Sequence, residues 1–188
     1  MAKIVLFMAM SLDGFIAGPN DTVSEPIGRD GERLLAWSDN TPTSKAVHAE
    51  YEETGAVLSG RRTYDLVSGW GGDHHDGVPM FILTHEPPDE VPQGAGTYTF
   101  VTDGVESAVA KAKAAAGDKD VLLHGADITQ QCLRAGLLDE MVIHLIPVLL
   151  GNGRRLFDNL GAEHTELELV HLREAPPATH LRYRVVGS

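Results

Sequence analysis

Twice in this chain a short, continuously apolar run stops at a glycine and passes at once into a segment of helical composition. Ala56-Val57-Leu58-Ser59 enters Gly60-Arg61-Arg62-Thr63, and Asp120-Val121-Leu122-Leu123-His124 enters Gly125-Ala126-Asp127. A run that is apolar at every position, rather than at alternate ones, belongs to a strand covered on both faces. Strands of that kind alternate with helices in a mostly parallel α/β sheet. Ligands of such sheets bind beyond the C-terminal ends of the strands, where these two corners would lie.

The rest of the chain fits this frame. Residues 3–10 are a third continuous apolar run, broken by Ser11-Leu12-Asp13-Gly14 and followed by Phe15-Ile16-Ala17. Helices are predicted over 29–38 and 43–54, the second capped by Thr43 or Ser44 and stopped by Gly55. Further strands are predicted over 80–84, 97–102 and 139–150, with Pro147 near the end of the last. Helices are predicted over 104–116 and from Gly125 to about Ala135. Residues 166–174 and 179–186 alternate apolar and polar side chains, which predicts an antiparallel pair joined around Pro176-Pro177. The 188 residues fit a single domain on the usual scale of about 100–200 residues each, and no repeat or linker divides them.

The formal net charge is −12 at pH 7, which disfavours nucleic acid and anionic membrane as partners. Any anionic ligand must be held by a local basic cluster. The single cysteine, Cys132, falls in an apolar-periodic segment and suits a buried thiol in a reducing cytoplasm. The N-terminal apolar run is too short for a secretory signal. No run approaches the ~20 apolar residues that span a bilayer.

At the two corners, helix starts offer free backbone N–H groups and partial positive charge, a site suited to pyrophosphate. Arg61 and Arg62 add guanidinium forks, Thr63 adds a hydroxyl, and Thr84 and His85 after the next strand extend the patch. The same arginines could instead pair with neighbouring carboxylates on a capped surface helix. Asp13 follows the first strand directly. It could relay a proton with its pKa raised by desolvation, or it could cap a turn as Asp before Gly does. Trp37 or Trp70 could stack on a flat substrate or pack in the core. His74-His75 with Asp73 and Asp76 lacks the spacing of a zinc site, so no metal is expected. Gly151-Asn152-Gly153-Arg154-Arg155 reads as a turn that could also touch ligand.

Several of these segments resemble a known superfamily. Ala9-Met10-Ser11-Leu12-Asp13-Gly14-Phe15-Ile16-Ala17 is similar to the opening of the reductase half of the bifunctional riboflavin-biosynthesis deaminase-reductase. Gly60-Arg61-Arg62-Thr63-Tyr64 is similar to the Gly-Arg-x-Thr element of dihydrofolate reductases. Leu138-Asp139-Glu140 through Ile146-Pro147-Val148-Leu149-Leu150-Gly151 to Leu156-Phe157 resembles the C-terminal part of the riboflavin reductase domain. The resemblance implies a dihydrofolate-reductase-like α/β fold, a central twisted and mostly parallel sheet flanked by helices, with antiparallel C-terminal strands. It implies NADPH as cofactor, with Ala9, Ile16 and Ala17 bordering the nicotinamide. Gly60, Arg61, Arg62 and Thr63 would hold phosphates, Thr84 and His85 would lie toward the adenosine end, and Gly125, Ala126, Asp127 and Ile128 would cover the pyrophosphate. Ser11, Asp13 and Trp37 would face a pterin- or pyrimidine-like substrate. Pairing into a homodimer through the C-terminal sheet is also implied.

Two departures stand out. His124-Gly125 replaces the Gly-Gly pair of dihydrofolate reductases, which is joined by a cis peptide there. No deaminase zinc motif is present, so a stand-alone reductase-like domain is expected. The acidic proton donor of dihydrofolate reductases has no clear match, although Asp30, Glu32 and Asp39 lie in the corresponding region. The expected function is an NADPH-dependent reductase. The alternative is a nucleotide-binding protein of the same fold without catalysis.

Overall fold

The computed structural model describes residues 1–38, 41–161 and 164–187. Its strands are β1 (Ile4–Ser11), β2 (Phe15–Ala17), β3 (Ala56–Gly60), β4 (Met80–Leu83), β5 (Tyr98–Val101), β6 (Val121–His124), β7 (Glu140–Ile146), β8 (Arg154–Arg155), β9 (Leu167–Ala175) and β10 (Ala178–Val185). Its α-helices are α1 (Pro42–Glu52), α2 (Arg61–Leu66), α3 (Val105–Ala116) and α4 (Ala126–Arg134). The main sheet has the order β5-β4-β3-β6-β1-β7-β10-β9. β5 through β7 in that order are parallel, and β10 and β9 are added antiparallel, as the alternating C-terminal segments require.

The apolar runs divide residue by residue between two cores. Ile4 and Leu6, Ala56 and Leu58, and Val121 and Leu123 point to the α3 and α4 side, and all are fully buried. Val5 and Phe7, Val57, and Leu122 point to the other side, against Leu34, Trp37 and Val47. Strands β3, β6 and β1 therefore lie between two apolar layers, which is why their sequences do not alternate. Cys132 is fully buried on α4, and burial pushes its thiol up to about 12.

Three boundaries differ from expectation. The segment predicted as a helix over 29–38 forms only a 3-10 helix, Gly31–Leu35. Asp30 before it is left-handed at φ 61, and the three-residue turn sets Leu34 and Trp37 on one face, both buried. Helix α1 begins at Pro42 and its cap is Thr41, whose hydroxyl accepts the Ser44 N–H at 3.2 Å, in place of Thr43 or Ser44. Strand β7 ends at Ile146 rather than running to 150, because Pro147 carries no N–H for the ladder. Asp39 lies outside the described residues.

At the opposite end of the sheet from the corners, Glu140 is only 3% exposed. It accepts from Lys3 at 2.6 Å and Arg182 at 2.7 Å. Burial alone would raise its pKa, but the two cations outweigh this and hold it below the ordinary 4.5. Its stabilisation is therefore complete above the unfolded pKa and is lost as the pH falls through the folded one. Lys3 is about half exposed, so solvent screens part of the effect. Glu140→Gln is predicted to lower stability at neutral pH by about 1–2 kcal/mol. Urea unfolding at neutral and acid pH should show the wild type losing more stability on acidification than the variant. Equal losses would contradict this role.

Candidate active site

The two corners lie side by side because β3 and β6 are neighbours, with Ser59 opposite His124. Gly125 has φ +105, and a Cβ there would stand 2.6 Å from Thr63 Oγ1. Only glycine lets the second corner close onto the first. Gly60 is under no such demand, since a Cβ there would meet Ile128 at an ordinary 3.8 Å.

At this rim opens a cavity of about 690 Å³. It gathers Gly60, Arg61, Arg62, Thr63, Thr84, His85, Gly125, Ala126, Asp127 and Ile128 into one lining. The first intrahelical backbone bond of α4 runs from Thr129 N–H to Gly125 C=O at 3.3 Å. The amides of Ala126, Asp127 and Ile128 precede it and belong to the open end of the helix. Asp127 Oδ2 accepts from Gln131 at 2.7 Å, a bond along α4. Thr84 is buried and its hydroxyl closes a local turn, donating to the Glu86 carbonyl at 2.7 Å. His85 is exposed on the rim.

The arginines both pair with acceptors and line the cavity. Arg61 donates from Nε to Asp65 at 2.8 Å and from Nη1 to the Glu86 carbonyl at 2.6 Å. Arg62 pairs with Asp21, and Arg154 approaches the same carboxylate at 3.6 Å. Burial alone would raise the Asp21 pKa. The Arg62 bond and the charges of Arg62 and Arg154 overcome it and hold the group below its usual value. Asp21 thus occupies a two-guanidinium anion seat. Arg154 comes from the Gly-rich turn. It is carried to the cavity by β8, which pairs with β2.

A second, mainly apolar cavity of about 220 Å³ adjoins the first and shares Arg62, Thr63, Gly125, Ala126 and Arg154 with it. Ile16 and Ala17 line it, together with Met8, Leu66, Val67, Trp70, Tyr51 and His124. Ala9 does not. It packs with the Phe7 and Trp37 core on the other side of β1, and Met8 stands at the cavity instead.

Three further expectations are corrected. Ser11 is fully buried, accepting from Phe15 N–H and donating to Asp13 Oδ1 at 2.6 Å, so it cannot face a substrate. Asp13 also accepts the amides of Leu150 and Gly151 at 3.1 and 2.7 Å. The Ser11 hydroxyl foremost, with the Gly151 and Leu150 amides added to it, outweighs desolvation and lowers its pKa rather than raising it. A carboxylate held charged by three donors clamps the β1–β2 turn to the 150–151 loop and is a poor proton donor. Trp37 is buried against His48, His144 and Phe7, so Trp70 is the tryptophan at the cavity.

His124 does not obstruct the larger cavity. Its ring lies with those of Tyr51, Trp70 and His74, lining the apolar one. Among the described residues the cis peptide is Pro176–Pro177, and His124–Gly125 is trans. Met8, Asp21, Tyr51, His124 and Arg154 are the site residues that sequence reasoning did not assign. Only Arg154 carried a signal, its place in the Gly-rich basic turn.

Two helix-opening corners at the rim of a mostly parallel sheet, with an antiparallel C-terminal pair, define a dihydrofolate-reductase-like α/β fold. Residues 2–181 match the RibD C-terminal domain, and the chain belongs to that family. It is 28% identical to the uncharacterised protein YwjB of Bacillus subtilis strain 168 over 96% of this chain and 97% of the relative. A crystal structure from Shewanella sp. PV-4, provisionally assigned to riboflavin biosynthesis, is similar with a TM-score of 0.78 and 26% identity, covering 99% of both chains. The diaminohydroxyphosphoribosylaminopyrimidine deaminase/5-amino-6-(5-phosphoribosylamino)uracil reductase of Thermotoga maritima shares the fold at a TM-score of 0.66 and 15% identity. The match covers 98% of this chain and 57% of that one.

Gly125→Ala is predicted to destabilise the protein by about 2–4 kcal/mol, from left-handed strain and the Thr63 clash together. Adding Thr63→Ala should recover part of the loss, because the clash goes while the strain stays. Thermal unfolding of both variants checks this, and no recovery would show that the corners do not press on each other.

Proposed function

We propose that this chain is an NADPH-dependent reductase acting on a small, flat heterocycle of pterin or pyrimidine type. The observation that carries the proposal is the meeting of two helix-opening corners and three arginines on one cavity that continues into an apolar pocket. Membership of a reductase-domain family supports the same reading. The residues fit the cofactor. The open amides of α4, the space kept by Gly125, and the Asp21 carboxylate already seated between Arg62 and Arg154 describe an anion site.

In this reading Arg61, Arg62 and the amides of Ala126, Asp127 and Ile128 hold the phosphates. Thr63 stands between the corners. Thr84 and His85 bound the end of the cavity away from the apolar pocket. Arg62 and Arg154 exchange or share Asp21 when phosphate arrives, so no guanidinium is left without an anion in either state. Ile16, Ala17 and Met8 bound the ring-binding pocket, and its apolar walls exclude water. When bound, the cofactor supplies a hydride. A homodimer belongs to the proposal as well. Edge strand β9 leaves Leu167, Leu169, Val170 and Leu172 about half exposed, and sedimentation should report twice the chain mass.

Titration of the pure protein with NADPH, followed by cofactor fluorescence, tests the reading. Binding should weaken by about 10–100-fold in the Arg61→Ala/Arg62→Ala variant, the loss expected for charge-assisted bonds to phosphate. Its salt dependence should fall with it. Absence of binding at millimolar cofactor would overturn the proposal. Binding without oxidation on any pterin or pyrimidine offered would favour a nucleotide-binding protein without catalysis.

A further inference from the structure

Besides Asp21, Arg62, Thr63 and Arg154, the wall of the apolar pocket carries Tyr51 and His124, and Tyr51 heads a hydrogen-bonded chain that runs away from the pocket. Tyr51 O–H lies 2.7 Å from His74 Nε2 and farther, at 3.3 Å, from His74 Nδ1. His74 Nδ1 lies 2.6 Å from His75 Nδ1. His75 Nε2 lies 3.1 Å from Thr54 Oγ1. The Thr54 hydroxyl donates to the Tyr51 carbonyl at 3.0 Å.

The shortest of these contacts define one self-consistent direction for the protons. Thr54 Oγ1 has spent its hydrogen, so it accepts from His75 Nε2–H. A neutral His75 then has a bare Nδ1, which accepts from His74 Nδ1–H. That leaves His74 Nε2 bare, and it accepts from Tyr51 O–H. The resting chain therefore points outward from the pocket, with the Tyr51 oxygen left as an acceptor. Burial is the first cause holding His74 neutral, pushing it down to about 2, and burial raises the Tyr51 phenol well above its ordinary value.

His124 supplies the second observation. Its buried Nε2 has no hydrogen-bond partner among the described residues. Nε2 is thus a polar atom left unsatisfied on a residue that lines the pocket, open to a donor when Nδ1 carries the ring proton. Its ring centroid lies 5.7 Å from that of Tyr51.

We propose that Tyr51 is the proton-donating residue of this pocket, that His74 and His75 refill it from the half-buried His75 end, and that His124 Nε2 accepts an N–H of the substrate. The reaction step rests on the reductase reading above. Hydride from a reduced nicotinamide forms a C–H bond at the carbon of a C=N or C=O group. The π pair moves to the heteroatom, which takes the Tyr51 proton. Tyr51 takes one from His74 Nε2, His74 takes one from His75 Nδ1, and His75 is refilled at Nε2 from solvent. This requires the chain to point inward before transfer, with the Thr54 hydroxyl turned from the Tyr51 carbonyl to His75 Nε2, and leaves it in the resting, outward sense afterwards. No imidazolium forms in the interior, in keeping with burial. The ligand class follows from Tyr51 and His124: a planar ring presenting an acceptor to the first and an N–H to the second.

The inversion is visible without cofactor or turnover. Long-range proton–nitrogen NMR of the histidine-labelled protein should show His74 protonated at Nδ1 and His75 at Nε2 in the free state. Saturation with quinazolin-4-one, a planar neutral lactam, should move these to His74 Nε2 and His75 Nδ1. Tyr51→Phe should bind the probe about tenfold more weakly and show no inversion. His74→Gln, which keeps a polar side chain beside Tyr51, should bind it within a few-fold of wild type. Failure of the probe to bind at millimolar concentration, binding without inversion, or equal binding and inversion in Tyr51→Phe would each overturn the proposal. Since no cofactor is used, a failed NADPH titration beside a positive result here would remove the reductase step and leave the donor chain standing.

Discussion

The contact on which this structure turns is the approach of Gly125 to Thr63. Parallel pairing of β3 with β6 brings two strand-to-helix corners together, and a single absent Cβ lets them touch. The cavity exists because both corners open onto the same rim. Its polarity follows from the helix end of α4, and its cationic character from Arg61, Arg62 and Arg154. An acidic molecule can present such a site because the field near a guanidinium pair is set locally and the distant carboxylates are screened by solvent.

The site divides into two chemically opposed halves. One is lined by backbone amides and by Arg61, Arg62 and Arg154. The other is lined by Met8, Ile16, Leu66, Val67 and Trp70, with Tyr51 and His124 kept neutral by burial and Asp21 held charged by Arg62 and Arg154. Arg62, Thr63, Gly125, Ala126 and Arg154 join the halves. A ligand with a polyanionic body and an uncharged ring matches both at once, and neither half alone demands it.

The sheet was legible because β1, β3 and β6 face apolar layers on both sides, which leaves a pattern that few other environments produce. The corners were legible for a related reason, since glycine followed by helix-forming residues at a strand end is a local signal. Ala9 and Met8 were confused because adjacent strand residues point to opposite faces, and the sequence does not say which face holds the ligand. Asp13 takes its clamping partners from Leu150 and Gly151, 137 and 138 residues away, and Ser11 is turned inward by bonds to Asp13 and Phe15 that the strand pattern does not announce. Trp37 and Trp70 are alike in composition and differ only in what packs around them. Tyr51, His74 and His124 come from three separate segments, so no spacing rule could unite them. The segment over 29–38 has helical composition, but the left-handed Asp30 and the burial of Leu34 and Trp37 select a tighter turn.

Amide hydrogen exchange with and without saturating NADPH, read residue by residue, examines the convergence of the two corners most directly. The structure predicts slower exchange at 60–63 and at 125–128 together, with little change along β9 and β10. Protection of one corner alone, or protection confined to the opposite end of the sheet, would contradict it.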